Sequence, residues 1–409
     1  MDKKKYIAID GMDSSGKKTV ITSLKSQFGD NIDILPSSEL LRKQIYLHWD
    51  NWEIELLNND KEVIRIFLEA DPDFCIEKRK STVERKELFY QRYKYRQFAG
   101  YYGNIHLIDT SLHDPQTIFQ IVISIINENN KEYYIPKVDM LSEKDVADLE
   151  IVINSDSKIV RKINSNYHLV EHKPNVYSFT KKGVNVIPET DIERTKMSKE
   201  ILEIISRNEV PHTYIYVGKK YIVNKSLFNN IDIPPVETIV KKYLIGSDKH
   251  NYYQIQKFKN RFGHNITKNK SNEYNKLMVR FDYRNPEFNP ETKKVLGDFT
   301  MCDDLADEFL NVSEAKKLVS KCYTVLEEHF KKMGLILYDI CFMVTVSGKE
   351  IYAEISQDCA RIRPINCETD EQLKEIWCSG GSKEEYVLVR YKYFTEKCQE
   401  YVKKYLFSE

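Results

Sequence analysis

The sequence predicts two consecutive domains, an α/β domain with a parallel sheet and then an α+β domain. Three observations carry this expectation. Near the start, an apolar strand (residues 6–10), a glycine loop (11–19) and a one-sided helical pattern (Val20, Ile21, Leu24, Phe28) follow in direct order. From about residue 155 the chain changes to short strands with interspersed helices, the pattern of an α+β domain. Near the end, two apolar runs, 334–343 and 352–361, flank a Ser347-Gly348-Lys349 turn and predict a buried β-hairpin. With 409 residues the chain is long enough for two or three cores. The expected boundaries are 1–127 for the first domain, 128–154 for a polar linker with one short helix, and 155–409 for the second.

Composition narrows the function classes. Apolar residues make up 41% and charged residues 30%, which suits a globular chain. Lys+Arg and Asp+Glu both number 62, so no bulk basicity argues for nucleic acid. The eight cysteines include no Cys-x-x-Cys pair, so neither a disulfide framework nor a zinc site is expected. His168 and His172 form a His-x-x-x-His pair in a strand-like run without the accompanying glutamate, and we read it as chance. No apolar run reaches the length of a membrane span and no signal peptide is expected; the expected location is cytoplasmic.

In the first domain, Gly11-Met12-Asp13-Ser14-Ser15-Gly16-Lys17-Lys18-Thr19 has the strand-loop-helix context of a phosphate-binding P-loop. Glycines let backbone amides close around phosphate oxygens, the helix N-terminus adds partial positive charge, and Lys17 reaches the terminal phosphates. Gly11, Asp13, Gly16, Lys17, Lys18 and Thr19 are therefore the candidate nucleotide-binding residues. The motif has Ser or Thr after its lysine to ligate Mg²⁺; here Lys18 stands there, and Thr19 comes about 100° further round the helix. Two ammonium groups attract phosphate, whereas Lys18 repels a metal. Arg79, Arg85, Arg92 and Arg96 have two readings, as phosphate contacts or as the solvated face of an amphipathic helix; Arg92 and Arg96, spaced i, i+4, are the better phosphate candidates.

The loop resembles that of thymidylate kinases. Residues 65–73 resemble that family's strand and turn, the basic helix from about 85 to 98 its post-lid segment, 105–109 its last sheet strand and 115–126 its closing helix. The family's acceptor-binding segments are absent between residues 28 and 65, so the first domain is expected to be a truncated thymidylate kinase-like P-loop domain.

The second domain resembles the SAICAR synthetases (phosphoribosylaminoimidazole-succinocarboxamide synthases). The hairpin carries the resemblance through Asp339, Glu354, Ser356, Asp358 and Arg361, supported in order by Pro235-Val236-Glu237, Gly246-Ser247, Phe281-Asp282-Tyr283-Arg284 and Leu296-Gly297-Asp298. The resemblance implies an ATP-dependent ligase that joins a carboxylated imidazole nucleotide to an amine such as aspartate. It places Glu237 at the adenosine, Lys173 in a phosphate loop, and Lys241 and Ser247 at the substrate 5′-phosphate. Asp358 and Arg361 fall at the imidazole carboxylate, and Asp339 joins them as a catalytic candidate. The family's two metal carboxylates fall at Met343 and Ala353, and its first-strand lysine at Cys341, so ATP is expected as cofactor while Mg²⁺ lacks its usual ligands. Strand alternation makes Glu354 a poor substitute.

The expected architecture is thus an α/β P-loop domain followed by an α+β domain of SAICAR synthetase type. Its expected partners are a nucleotide substrate and an amine, with no nucleic acid and no membrane; a homo-oligomer is compatible with it. Two other functions stay open at this point: a nucleoside monophosphate kinase, and a nucleotide-binding regulatory pseudoenzyme.

Overall fold

The computed structural model describes residues 5–35, 63–127, 130–178, 183–227, 233–244, 259, 261–267, 273–284, 299–365 and 383–406. The first sheet takes β1 (Lys5–Gly11), β2 (Ile32–Leu35), β3 (Val63–Glu69), β4 (Ile105–Asp109) and β5 (Tyr134–Ile135) in the order β2-β1-β3-β4-β5. The first four are parallel; β5 is antiparallel to β4 and forms the edge, so 105–109 is not the last strand as expected from sequence.

Between the strands run α1 (Lys17–Phe28), α2 (Pro72–Glu77), α3 (Arg85–Tyr102) and α4 (Pro115–Ile126). Local signals set two of the helix starts. Asp71 and Asp114 each accept two backbone N–H bonds at the N-cap, and each is followed by proline at the first helical position. A core of Ile7, Ile9, Leu24, Ile66, Leu68, Ile108 and Val122 sits between this sheet and α1 with α4.

The opposite face of the sheet is covered by α3, which is buried along most of its length. Its Tyr95, Phe98 and Ala99 share one apolar cluster with Phe67 and Leu107 on one side and Ile215, Tyr216 and Val223 on the other. The helix is therefore a slab between two halves of the molecule, and the solvated-face reading is wrong for Arg92 and Arg96, which are buried. Residues 130–154, expected as linker, carry β5, the short α5 (Glu143–Ala147) and β6 (Ile151–Asn154).

The second half begins with β6, β7 (Lys158–Lys162), β8 (Tyr167–His172), the hairpin β9 (Asn175–Ser178) and β10 (Gly183–Val186), α6 (Thr190–Arg207), β11 (Tyr214–Val217) and β12 (Tyr221–Lys225). One antiparallel sheet has the order β11-β12-β8-β7-β6. A second contains β13 (Val236–Tyr243), β14 (Glu273–Tyr283) and β15 (Phe299–Met301); α7 (Asp303–Asp307) and α8 (Val312–Lys332) lead to β16 (Leu335–Val344), β17 (Ile351–Tyr352) and β18 (Ala360–Pro364). Its order is β15-β14-β13-β16-β17, with β18 also on β16. The helix α9 (Lys383–Tyr401) packs against α6.

The second sheet is two-faced because its strands alternate. Val240, Phe281, Ile340 and Phe342 pack against Ala315, Leu318, Val319, Cys322 and Leu326 of α8 in one core. The other face carries charge, and the candidate site lies there.

Candidate functional site

Register builds the site. Lys241 on β13 lies opposite Asp339 on β16, and Asp339 lies opposite Arg361 on β18. Directly opposed residues share a face, so three charged side chains form one row across three strands. Lys241 Nζ stands 3.3 Å from Asp339 Oδ2, and Arg361 Nη1 donates to the same oxygen at 2.7 Å. The Lys241 side chain is 1% exposed and that of Arg361 34%, so the row runs from the interior to a rim. Burial pulls the Lys241 pKa down, Asp339 opposes that, and Arg361 adds to it.

Two parallel rows continue the face. Arg280 on β14 faces Ile239, which faces Cys341; Asp282 faces Glu237, which faces Met343. Arg280 Nη2 donates to Asp282 Oδ2 at 2.8 Å. Glu237 lies beside Cys341, whose thiol is pushed well above its usual range by burial first and then by that carboxylate.

The expected strand 352–361 is interrupted. Only Ile351–Tyr352 and Ala360–Pro364 pair with β16, and a loop intervenes. The break falls at Ala353, whose φ of 62° lies in the left-handed region. An L-residue pays about 1 kcal/mol or more there. Alternation stops at this point, which corrects the inference that Glu354 faces away. Glu354 turns inward instead and meets Arg194 of α6.

Arg194 organises this second cluster. Its side chain is fully buried, it donates to Glu354 through both Nε (2.7 Å) and Nη2, and its Nη1 reaches the Lys173 and Asn175 carbonyls at 3.2 and 3.4 Å. Burial disfavours the charged form of Glu354, but Arg194 and His172 outweigh it and hold that carboxyl well below the usual range. Asp358 accepts from Tyr391 of α9 and lies 4.0 Å from Arg194; burial and then the Glu354 charge raise its pKa. Gln357, also on the loop, is 3% exposed, and neither end of its amide has a hydrogen-bond partner among the described residues.

The sequence candidates therefore divide. Lys241, Asp339 and Arg361 come together; Asp358 joins the Arg194 cluster next to them; Glu237 lies two rows away on the same face. Lys173 directly follows β8 of the other sheet, with Nζ donating to Asn154 Oδ1 and the Ser155 carbonyl at 2.7 and 2.6 Å. Ser247, like Gly246 and the 296–298 landmark, lies outside the described residues, as does most of 28–65. Sequence reasoning missed Arg194 and Gln357. Arg194 had a signal: it stands seven residues before Ile201, on the apolar side of its helix.

His172 supports the same cluster, with Nδ1 3.0 Å from Thr195 Oγ1 and Nε2 3.7 Å from Glu354. Burial lowers its pKa to about 4 despite Glu354. The unfolded chain, with histidine near 6.5, then binds more protons between those values, so stability is intact at neutral pH and lost as pH falls from 6.5 towards 4. For His172 the expected loss between pH 7.5 and 5 is about 2 kcal/mol. Urea denaturation at the two pH values checks this: H172Q should reduce the difference by about that amount, leaving the share of His106, His168, His212 and His329, whose pKa values burial also lowers. An equal difference in H172Q would assign the slope to other groups.

The N-terminal glycine loop is held by contacts the sequence did not foretell. Gly11 ends β1 where a Cβ would meet the Leu68 carbonyl oxygen at 2.0 Å, and Gly16 caps α1 at φ 93°. Lys17 Nζ donates to the Gly11 and Met12 carbonyls, both at 2.7 Å. The Asp13 N–H donates to Gln91 Oε1 at 2.9 Å, and Gln91 returns a bond to Asp13 Oδ2, tying the loop to α3. Lys18 and Thr19 are both exposed.

The four arginines are structural ties. Arg79 clamps the Ser14 carbonyl and Thr110, Arg85 bridges Asp73 and Glu209, Arg96 holds Glu69 through two 2.6 Å bonds, and Arg92 spans Asp109, Glu69 and Asp71. Burial works against the Asp109 anion, yet Arg92 lowers its pKa to about 2.

Mg²⁺ takes octahedral oxygen ligands. Met343 and Ala353 offer a thioether and a methyl, and no group of three or more His, Cys, Asp or Glu able to hold a metal occurs among the described residues. The side chains at these positions do not fit the ion. No described helix is long and apolar enough to cross a membrane.

Comparison with known proteins gives one family. The profile of the SAICAR synthetase family matches residues 157–376, more than half of the chain. The bifunctional cordycepin biosynthesis cluster protein 3 of Cordyceps militaris is 25% identical over 277 residues, covering 57% of this chain. The match spans only 31% of that protein's own length. Among solved structures, SAICAR-synthase from Saccharomyces cerevisiae, complexed with SAICAR, has a TM-score of 0.48 at 16% identity over 64% of this chain and 98% of its own. The phosphoribosylaminoimidazole-succinocarboxamide synthase of Ehrlichia chaffeensis has a TM-score of 0.46 at 17% identity over 61% and 98%. A type-2 SAICAR synthetase in complex with ADP has 0.46 at 16% over 61% and 98%.

Proposed function

The chain belongs to the SAICAR synthetase family, and from that premise we propose that its second half is an ATP-dependent carbon–nitrogen ligase acting on a carboxylated imidazole nucleotide. ATP would phosphorylate the substrate carboxylate, releasing ADP. An amine such as aspartate would attack the acyl phosphate, lose a proton and expel phosphate, leaving an amide.

The observation that carries this reading is the row Lys241–Asp339–Arg361, an ammonium and a guanidinium positioned by one carboxylate on a rigid sheet. Charge-assisted bonds from such groups are about twice as strong as neutral ones. Arg361, at the rim, suits the substrate carboxylate; Lys241, deeper, suits its phosphate, as a point charge rather than a two-pronged clamp. Asp358, with its raised pKa, is suited to take the proton from the amine. The test is formation of amide, ADP and phosphate by the full chain, and its loss in K241M.

The glycine loop supports a second, additional reading as a P-loop nucleotide site of thymidylate kinase type. Its specific support is Lys17, whose ammonium lies against the loop at the N-terminus of α1, a helix with no acidic residue in its first turn. With the sheet site disabled for ATP by E237A, at the position the resemblance gives to the adenosine, calorimetric titration should still detect ATP, and adding K17A should remove most of that heat. Equal heat from the two proteins would exclude the loop.

A further inference from the structure

A cleft of about 760 Å³ lies between the two halves, apart from both sites above. Its floor is formed at the carboxyl ends of β3 and β4 by Asp71, Asp109 and Ser111. In parallel sheets flanked by helices, that end is where ligands bind. The opposite wall comes from the second half of the chain: Pro211 and His212, Lys225, Lys317 and Lys321 of α8, and the turn 347–350. Phe74, Phe89, Tyr93 and Leu318 add apolar surface.

The chemistry of the two sides differs. On the floor, Arg92 donates to Asp109 and, at 3.4 Å, to Asp71, fixing two carboxylates side by side. Asp109 also accepts from the Ser111 N–H at 3.1 Å and from its hydroxyl. Asp71 uses Oδ1 to cap α2, while its side chain stays 48% exposed. Paired carboxylates of this kind accept hydrogen bonds from neighbouring hydroxyls. Across the cleft the wall presents ammonium groups. Lys317 is 71% exposed and its i, i+3 partner Glu314 is a weak competitor; Lys321 Nζ rests on the Glu209 carbonyl at 2.8 Å. Arg92 Nε is buried without a hydrogen-bond partner among the described residues.

We propose that this cleft is a composite binding site for a nucleoside monophosphate. Sugar hydroxyls donate to Asp71 and Asp109, the base lies against Phe74, Phe89 and Tyr93, and the phosphate meets Lys317 and Lys321. The size is that of a small-molecule site. The acceptor wall that the first half lacks in sequence is thus supplied by the second half.

The test uses the full chain carrying K17A, K241M and R361A, so that the glycine loop and the residues given above to the substrate phosphate and carboxylate do not contribute heat. The probes are the four common ribonucleosides and their 5′-monophosphates. At least one monophosphate should bind, D71N should weaken nucleoside and monophosphate alike by about tenfold, and K321A should weaken the monophosphate more than its nucleoside. Asn retains the cap of α2, so D71N is expected to fold. Bound monophosphate should also slow amide hydrogen exchange in both 72–77 and 347–350. No heat from any probe at millimolar concentration, indifference to both substitutions, or protection confined to one half would overturn the proposal. Failure here leaves the ligase reading untouched, since the sheet site is silenced throughout.

Discussion

R194M should destabilise the protein by about 3–5 kcal/mol, the range for removing one partner of a buried ion pair. The cause is what remains. Glu354, with a side chain only 10% exposed, would lose both donors of its guanidinium partner. The Lys173 and Asn175 carbonyls would lose theirs too. The damage would reach beyond α6, because Lys173 follows β8, Asn175 opens β9, and Glu354 belongs to the loop before β18. Urea denaturation at pH 7 measures the loss. The double variant R194M/E354L should recover much of it, since an apolar pair of similar volume is often no less stable than the ion pair it replaces. A double variant as unstable as the sum of the two singles would show that the pair is not the source.

K241M should lower kcat/KM for the ligase reaction by roughly 10² to 10³, the cost of losing one well-placed electrostatic stabiliser. Lys241 is buried and faces Asp339, so methionine fills the space but leaves the carboxylate with Arg361 as its remaining cation in the row. Some destabilisation accompanies this, and stability must be measured alongside. The discriminating feature is the split between parameters. If Lys241 holds the substrate phosphate equally in ground and transition states, KM rises and kcat stays; if its charge is used during transfer, kcat falls as well.

Local signals made much of the fold legible. The helix 115–126 is expected from the resemblance to thymidylate kinases, and the sequence also carries local signals for its start on which that expectation does not rest, an Asp114 cap and Pro115 at N1. Family landmarks singled out Lys241, Asp339 and Arg361 one by one; their opposition in a single row is a matter of strand register, which the structure supplies. What stayed hidden depends on distant partners or on single backbone angles. Nothing in Tyr352-Ala353-Glu354 marks a break in the strand: no glycine stands there, yet Ala353 adopts φ 62° and turns Glu354 inward. The arginines of α3 resemble a solvated face because their partners, Glu69 and Asp109, come from other strands, and the surface that buries the helix lies over a hundred residues downstream. The composite cleft was illegible for the same reason.

The central claim is that the charged sheet face performs ligase chemistry. The most direct measurement incubates the full chain with ATP, a carboxylated aminoimidazole ribonucleotide and aspartate, and quantifies ADP, phosphate and amide product by mass spectrometry. Equal amounts of the three products, dependent on all three substrates and lost in K241M but kept in K17A, is the predicted result. ATP-dependent phosphorylation of a nucleotide without amide formation, lost in K17A and kept in K241M, would contradict it and move the chemistry to the glycine loop.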